Sequence, residues 1–183
     1  MRLRYIAARS YALIGDVDAV RALVNDARDD HAASNNHRDL VADEVGGEFD
    51  FGTARAAACL AAAWLDLGQG QEAADAAEWA VGNLTELPPS RQPSSQVLGA
   101  RIDLATAHVV CGEIDGAEEI ITSVSTEKML RNTSLAGRLT RTNAALTSRA
   151  LQGSSAAGRL SEAVRALITY QSADSESGVP NQD

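Results

Sequence analysis

Apolar residues recur three and four positions apart along most of the chain, which is the spacing of one buried face of an α-helix. Alanine, leucine and valine supply most of these positions, and such a core fits helices packed on helices rather than a β-sandwich. We therefore predict an all-α domain over residues 1–170, with hairpins at about 2–30, 53–84 and 95–125 and C-terminal helices at about 134–151 and 155–170. Residues 171–183 are mostly polar and predict a disordered tail.

The three hairpins share one register when they are aligned on the glycine that ends each first helix, namely Gly15, Gly68 and Gly112. A small residue lies seven positions before each glycine, a large one lies four before, and another small one lies twelve after. In the order of the chain these sets are Ala8, Ala61 and Ala105; Tyr11, Trp64 and His108; and Ala27, Ala80 and Val124. Small residues let two helices cross closely, and glycine permits the left-handed turn that ends a helix. The alternation predicts a tetratricopeptide-like right-handed superhelix with C-terminal capping helices.

The connections between hairpins are longer than in a standard tetratricopeptide array, whose repeat is about 34 residues. The first runs from His31 to Phe51 and carries the turn signal Gly46-Gly47. We expect Phe49 and Phe51 to pack on the bundle just before the second hairpin. The second connection, Glu86 to Ser95, holds three of the four prolines. These lengths make the chain a divergent array.

The balance of charge disfavours nucleic acid as a partner of the chain. The chain is 45% hydrophobic and 22% charged, and its formal net charge of -9 makes it a poor general binder of nucleic acid. Basic residues nevertheless dominate between Lys128 and Arg165, where Glu162 is the only acid. No apolar run approaches the roughly 18 residues of a membrane span. We therefore expect a cytoplasmic protein with no membrane contact and no direct contact with nucleic acid.

The order of several short motifs suggests a narrower family. Gly46-Gly47-Glu48-Phe49 precedes an alanine-rich helix that ends in Trp64-Leu65-Asp66-Leu67-Gly68. Leu87-Pro88-Pro89-Ser90-Arg91, then Gly99-Ala100-Arg101-Ile102-Asp103-Leu104-Ala105 and an arginine-rich helix follow. This order resembles the C-terminal tetratricopeptide region of actinobacterial helix-turn-helix (XRE-type) transcriptional regulators, over nearly the whole chain to about Tyr170.

The resemblance implies a region that dimerises or senses a ligand behind an N-terminal DNA-binding head. This chain opens directly in the first hairpin, so we expect either a truncated form or a headless relative. No DNA-binding residue is therefore carried over from the family.

No motif points to an enzyme, a cofactor or a metal. Gly68-Gln69-Gly70-Gln71-Glu72-Ala73 matches a loose dinucleotide fingerprint, but a helix precedes it where that chemistry needs a strand, so we interpret it as a hairpin turn. His31 and His37 match no metal-site spacing and predict a solvated loop. His108 is interpreted as a hydrogen-bonded core residue, and Cys59 and Cys111 as buried free thiols. We expect no catalytic residues, no cofactor and no metal.

The first helices of successive hairpins line the concave surface of a tetratricopeptide array. The shared register places a set of small and basic residues there, which would form a pocket with a cationic rim. The predicted groove residues are Arg2, Tyr5, Arg9, Arg55, Ala58, Ala62, Leu65 and Thr106. Arginine pairs bidentately with carboxylates, so a peptide C-terminus or an acidic segment is the expected guest. The alternative is that these arginines are solvated or bind acids of the same chain.

A second basic set lies beyond the hairpins. Arg131, Arg138 and Arg149 recur at helical spacing beside the apolar stripe of the predicted helix 134–151. They form either a solvated face or an interface for an acidic surface, in another molecule or in a missing domain.

These observations predict a protein-interaction or ligand-sensing module, as the regulatory part of a transcriptional regulator. The alternative is a free-standing scaffold that binds a partner protein or peptide. A homodimer is among the expected assemblies.

Overall fold

The computed structural model describes residues 2–34, 53–86, 92–126 and 133–172, and every regular element in these ranges is helical. The fold of the described chain is therefore all-α, as predicted. The helices are α1 Arg2–Leu13, α2 Val17–Ser34, α3 Thr53–Asp66, α4 Gly70–Thr85, α5 Ser94–Cys111, α6 Ile114–Thr126, α7 Thr133–Leu146 and α8 Ser155–Ser172, with a short 3-10 helix at Arg149–Leu151 between the last two. The expected docking of Phe49 and Phe51 and residues 173–183 of the expected tail lie outside the described residues. Gln171 and Ser172, which were expected in the tail, belong to α8.

The three hairpin turns repeat one local structure. Gly15, Gly68 and Gly112 have φ angles of 77°, 68° and 84°, a left-handed conformation that residues with a side chain rarely adopt. The residue after each glycine donates its backbone N–H to a carbonyl five positions back, over 3.1, 2.9 and 2.8 Å. The accepting carbonyls belong to Tyr11, Trp64 and His108, respectively. Each first helix thus ends in a Schellman motif, which satisfies carbonyls that the helix leaves unpaired.

The helices pack in an order that follows the hairpins. Helix α1 contacts α2 and α3, α3 contacts α4 and α5, and α5 contacts α4, α6 and α7. Helix α8 completes the order by contacting α6 and α7. The first helix of each pair, α1, α3, α5 and α7, therefore neighbours the first helix of the next pair.

The core changes character along the chain. Around α3 and α4 it is built largely from alanines, of which Ala57, Ala61, Ala73, Ala77 and Ala80 are fully buried. Around α5 to α8 it is built from branched aliphatic side chains such as Ile102, Leu139 and Val164. Methyl side chains let backbones approach closely, so the α3–α4 hairpin leaves room for larger residues from its neighbours.

Polar side chains join α7 to its neighbours inside the second part of the core. The hydroxyls of Thr106 and Thr142 lie 2.8 Å apart, and both residues are almost completely buried. The hydroxyl of Ser161 donates to Oδ1 of Asn143 over 2.8 Å. These contacts fix α7 against α5 on one side and against α8 on the other.

The C-terminal part differs from the sequence interpretation in one helix boundary. The predicted helix 134–151 ends as an α-helix at Leu146, and Ala150, which lies within the predicted range, is exposed. The hydroxyl of Thr147 bonds to the carbonyls of Asn143 and Ala144, and Ser148 adopts an extended conformation with ψ 156°. The side-chain hydroxyl satisfies the last carbonyls and so favours the end of the helix there.

Candidate functional site

A cavity of about 260 Å³ lies among α1, α3, α4, α5 and α7, and we call it the arginine pocket. Helix α3 contributes one face of small residues and α1, α3 and α7 contribute guanidinium groups. The lining residues are Arg9, Ala54, Arg55, Ala58, Cys59, Ala62, Leu84, Ser95, Gln96, Ser134 and Arg138. The pocket exists because Ala58 and Ala62 project only methyl groups where a larger residue would fill the space.

Arg138 of α7 is held in place by α5. Its Nη1 donates to a carboxylate oxygen of Asp103, which is 1% exposed, and to the carbonyl of Gly99 over 3.3 Å. A Cβ atom at residue 99 would lie 3.2 Å from Nε of Arg138, so the guanidinium rests against the bare backbone of Gly99. Among the described residues, the hydrogen bonds of Arg138 all leave from Nη1, which leaves the rest of the planar guanidinium for a guest.

Asp66, the last residue of α3, joins two further arginines. Its Oδ1 lies 2.9 Å from Nη2 of Arg141, and its Oδ2 lies 3.9 Å from Nη2 of Arg9. Asp66 is therefore a carboxylate of the chain itself placed between α1 and α7. Its Oδ2 is buried and accepts no hydrogen bond from the described residues, so its attraction to Arg9 is electrostatic.

The electrostatic field at the pocket is positive. Burial raises the pKa of the Cys59 thiol above its ordinary value, while the charges of Arg9, Arg55 and Arg138 oppose that rise. Burial lowers the pKa of Arg138, and the nearby charges of Arg141 and Arg9 lower it further. Cations held this close repel one another, and a bound anion would relieve that repulsion.

The structure brings together only part of the predicted groove. Arg9, Arg55, Ala58 and Ala62 line the arginine pocket. Tyr5, Leu65 and Thr106 do not line it, and with exposures of 2%, 8% and 1% they belong to the packed core. Their predicted place on an open groove is corrected, since all three side chains are buried in the structure. The side chain of Arg2 lies outside the described residues.

The second basic set is also divided. Arg138 lies in the arginine pocket and binds Asp103, so it is not part of an open face. Arg149 is exposed in the 3-10 helix and thus lies off the end of α7. Arg131 lies outside the described residues. The single helical face predicted for the three arginines does not form.

Three residues of the site escaped the sequence interpretation, namely Asp66, Asp103 and Arg141. Asp103 carried a signal, because it interrupts an apolar run between Ile102 and Leu104 and a buried acid requires a partner. Asp66 and Arg141 carried none, since their pairing depends on how α7 lies against α3.

The glycine-rich turn, the histidines and the cysteines were the other residues singled out in the sequence. Gly68 to Ala73 forms the turn into α4, and His108 is half-buried with Nδ1 2.5 Å from Oε2 of Glu113. Cys59 is half-buried, whereas Cys111 is exposed, which corrects its predicted burial. His31 lies in α2, which corrects its predicted place in a loop, and His37 lies outside the described residues.

The described parts of the chain contain neither a metal-binding cluster nor a membrane-spanning helix. In them, no three His, Cys, Asp or Glu side chains are grouped so as to hold a metal ion. Likewise, none of the described helices combines the length and the apolar character needed to cross a membrane.

Comparison of the chain with protein-family models, with curated proteins and with solved structures finds no match. The resemblance to helix-turn-helix regulators therefore remains a hypothesis, and the geometry of the chain carries the functional argument.

Proposed function

We propose that the chain is a protein-interaction or ligand-sensing module that binds a carboxylate of a peptide or acidic segment in the arginine pocket. The main observation behind this proposal is that one cavity is lined by Arg9, Arg55 and Arg138, which come from three different helices. Small alanine side chains form part of its wall. Planar guanidinium groups match carboxylates in shape and charge, so they bind them with directional hydrogen bonds.

The chain's own contacts support this choice of ligand. Two carboxylates, Asp66 and Asp103, already pair with arginines at the margins of the pocket. The field that attracts these two acids acts on any further carboxylate that enters. A cavity of about 260 Å³ accommodates a side-chain or C-terminal carboxylate with part of its residue, but not a large cofactor.

A tetratricopeptide-like superhelix is the arrangement we propose for the hairpins. The shared glycine register, the repeated Schellman turns and the contacts between successive first helices support it. In such an array the first helices line the concave surface, which is where the arginine pocket would then lie.

The binding experiment is a calorimetric titration with two peptides of matched length. Acetyl-Ala-Ala-Glu with a free C-terminus is expected to bind, and acetyl-Ala-Ala-Gln-amide is expected not to bind. Arg9→Gln should weaken binding about tenfold, since it removes one charge-assisted contact. Arg165→Gln, on the exposed face of α8, is the matched control and should bind like the unchanged chain. Equal affinity for both peptides would contradict the proposal.

We propose that this module serves a transcriptional regulator, a role supported by the resemblance alone. Peptide binding would then change the geometry of a dimer and the spacing of its DNA-binding heads. The alternative is a free-standing scaffold. Light scattering coupled to size exclusion separates them, because a dimer of twice 19.2 kDa favours the regulator and a monomer with and without peptide favours the scaffold.

A further inference from the structure

A second cavity, of about 350 Å³, lies between α2, α3 and α4, and we call it the tryptophan cavity. It contains both tryptophans of the chain and two acidic side chains. The lining residues are Arg21, Val24, Asn25, Leu60, Trp64, Glu72, Asp75, Ala76 and Trp79. No residue is shared with the arginine pocket.

The two cavities lie on opposite faces of α3. Leu60 and Trp64 line the tryptophan cavity, and each comes two residues after an alanine, Ala58 or Ala62, that lines the arginine pocket. Two residues of an α-helix correspond to a rotation of about 200°. A ligand in one cavity is therefore separated from the other by the full width of the helix.

The walls of the tryptophan cavity are aromatic and firmly placed. Trp64 is 5% exposed and packs in the core, whereas Trp79 is half-buried on α4. The flat face of an indole carries negative electrostatic potential and attracts organic cations. Leu60, Val24 and Ala76 supply apolar surface for the carbon atoms around such a charge.

The charges at the rim have the complementary sign. Glu72 and Asp75 lie one turn apart on α4, and Arg21 of α2 is the cation in the lining. Nη2 of Arg21 lies 3.5 Å from Oε1 of Glu72, while Oδ1 of Asp75 accepts from Nε2 of Gln71 over 3.0 Å. The lining thus carries two carboxylates against one guanidinium. A cation of the chain already occupies the edge of the cavity, which indicates what kind of group the cavity accommodates.

We infer that the tryptophan cavity binds an organic cation, either a small quaternary ammonium or the charged side chain of a partner's Lys or Arg. The indole faces would contact the alkyl groups around the charge, and Asp75 with Glu72 would balance it. The net charge of -9 also favours binding of a cation, because it raises the local concentration of cations around the chain. This inference is independent of carboxylate binding in the arginine pocket, because the ligand of the tryptophan cavity carries the opposite charge.

Intrinsic fluorescence tests the inference directly, since both tryptophans line the cavity. The full chain is titrated with choline chloride, with sodium chloride at equal ionic strength as the reference. The expected result is a saturable change in emission with choline and none with sodium. No saturable change with choline, or the same change with sodium, would overturn the inference.

Two substitutions with opposite expected effects and one control separate loss of binding from damage to the fold. Asp75→Asn should weaken choline binding about fivefold, because one balancing charge is lost. Arg21→Gln should strengthen it about threefold, since the competing guanidinium and its repulsion are removed. Glu78→Gln, an exposed acid of α4 outside the lining, should leave affinity unchanged. A similar loss in all three variants would overturn the inference.

A final pair of titrations identifies the source of the cation. The affinities of acetyl-Ala-Lys-Ala-amide and of choline are measured for the unchanged chain and for the Trp79→Leu variant. In the variant, the fluorescence of Trp64 reports binding. Tighter binding of the peptide assigns the site to a partner's side chain, and tighter binding of choline assigns it to a small quaternary ammonium. Either ligand should lose affinity with Trp79→Leu, and retention of both affinities would overturn the aromatic contact.

Discussion

The arginine pocket and the tryptophan cavity share helix α3 but have opposite electrostatic character. On one face, Ala58 and Ala62 leave space that arginines of α1 and α7 surround. On the other, Leu60 and Trp64 face two acids of α4. The difference teaches that α3 sets the volume of each cavity, while the charge comes mainly from its neighbours, with Arg55 as the one charged side chain that α3 adds to the arginine pocket lining.

The two cavities also differ in how their ion pairs are held. Asp103 is 1% exposed where it binds Arg138, whereas the side chains of Arg21 and Glu72 are 54% and 38% exposed. A buried acid that loses its partner is strongly destabilising, but an exposed pair contributes little because water screens it. Substitutions at the two pairs should therefore have very different effects on folding.

The largest expected effect follows removal of the acid beneath Arg138. Asp103→Ala should lower the free energy of unfolding by about 3 to 5 kcal/mol, because it leaves a half-buried guanidinium without its carboxylate. Glu72→Gln should lower it by no more than about 1 kcal/mol. Urea denaturation followed by circular dichroism measures both, and Glu119→Ala on the exposed face of α6 is the control. Similar losses for Asp103→Ala and Glu72→Gln would contradict the distinction between the two pairs.

A change at Gly99 should separate the cavities by function. The new Cβ of Gly99→Ala would lie 3.2 Å from Nε and 3.3 Å from Cζ of Arg138, so the guanidinium must move. Affinity for the carboxylate peptide should fall about tenfold, as when one charge-assisted contact is lost. Choline affinity, read from tryptophan fluorescence, should stay the same.

Gly137→Ala is the matched control for this change, since a Cβ there meets nothing within 4 Å. It should leave both affinities as they are. Loss of choline binding in Gly99→Ala would indicate a general disturbance of the fold, and unchanged peptide binding would contradict the role of Arg138.

The smallest expected effects are shifts in the ionisation of the two cysteines, each of which reports on a different field. Burial raises the pKa of Cys59, against the charges of Arg9, Arg55 and Arg138. Burial also raises the pKa of Cys111, with further increases from Glu113, Glu72 and Asp75. Arg55→Gln should raise the pKa of Cys59, because a cation that stabilises the thiolate is lost. Asp75→Asn should lower the pKa of Cys111, because an opposing anion is lost.

The measurement is the rate of iodoacetamide alkylation against pH, with mass spectrometry to resolve the two sites. The thiolate is the reacting form, so a raised pKa moves the midpoint of the rate profile to higher pH. Each substitution should move the profile of its own cysteine and leave the other in place. A shift of both profiles in one direction would contradict the separation of the two fields.

Local rules of helix structure explain how much of the fold the sequence predicted. The three aligned glycines and the alanine positions before them are short-range features, and the structure repeats one turn at all three. The last helix starts at Ser155 as predicted, and the hydroxyl of Ser154 accepts the backbone N–H of Ala157 over 3.2 Å as an N-cap. The predicted end of α7 was wrong. The hydroxyl of Thr147 binds the carbonyls of Asn143 and Ala144, which would accept backbone N–H groups if the helix continued.

The candidate site was harder to predict because it depends on contacts between distant helices. The common register placed Arg9, Arg55, Ala58 and Ala62 together, since it needs only the pairing of first helices. It did not place Thr106 correctly, because the hydroxyl of Thr142 on α7 covers that position. Arg138 was predicted on a separate surface, because the register of the hairpins does not show where α7 lies. The path of α7 across α5 is set by the whole core and has no local sequence signal.

Protection of Cys59 from alkylation tests the central claim most directly, because this thiol lines the arginine pocket. Saturating acetyl-Ala-Ala-Glu should slow the reaction of Cys59 severalfold, by occupying the pocket and by opposing the thiolate with its own charge. Exposed Cys111 should react at an unchanged rate in the same sample, and the neutral amide peptide should protect neither cysteine. An unchanged rate at Cys59 under saturating peptide, or equal slowing at Cys59 and Cys111, would contradict carboxylate binding in the arginine pocket.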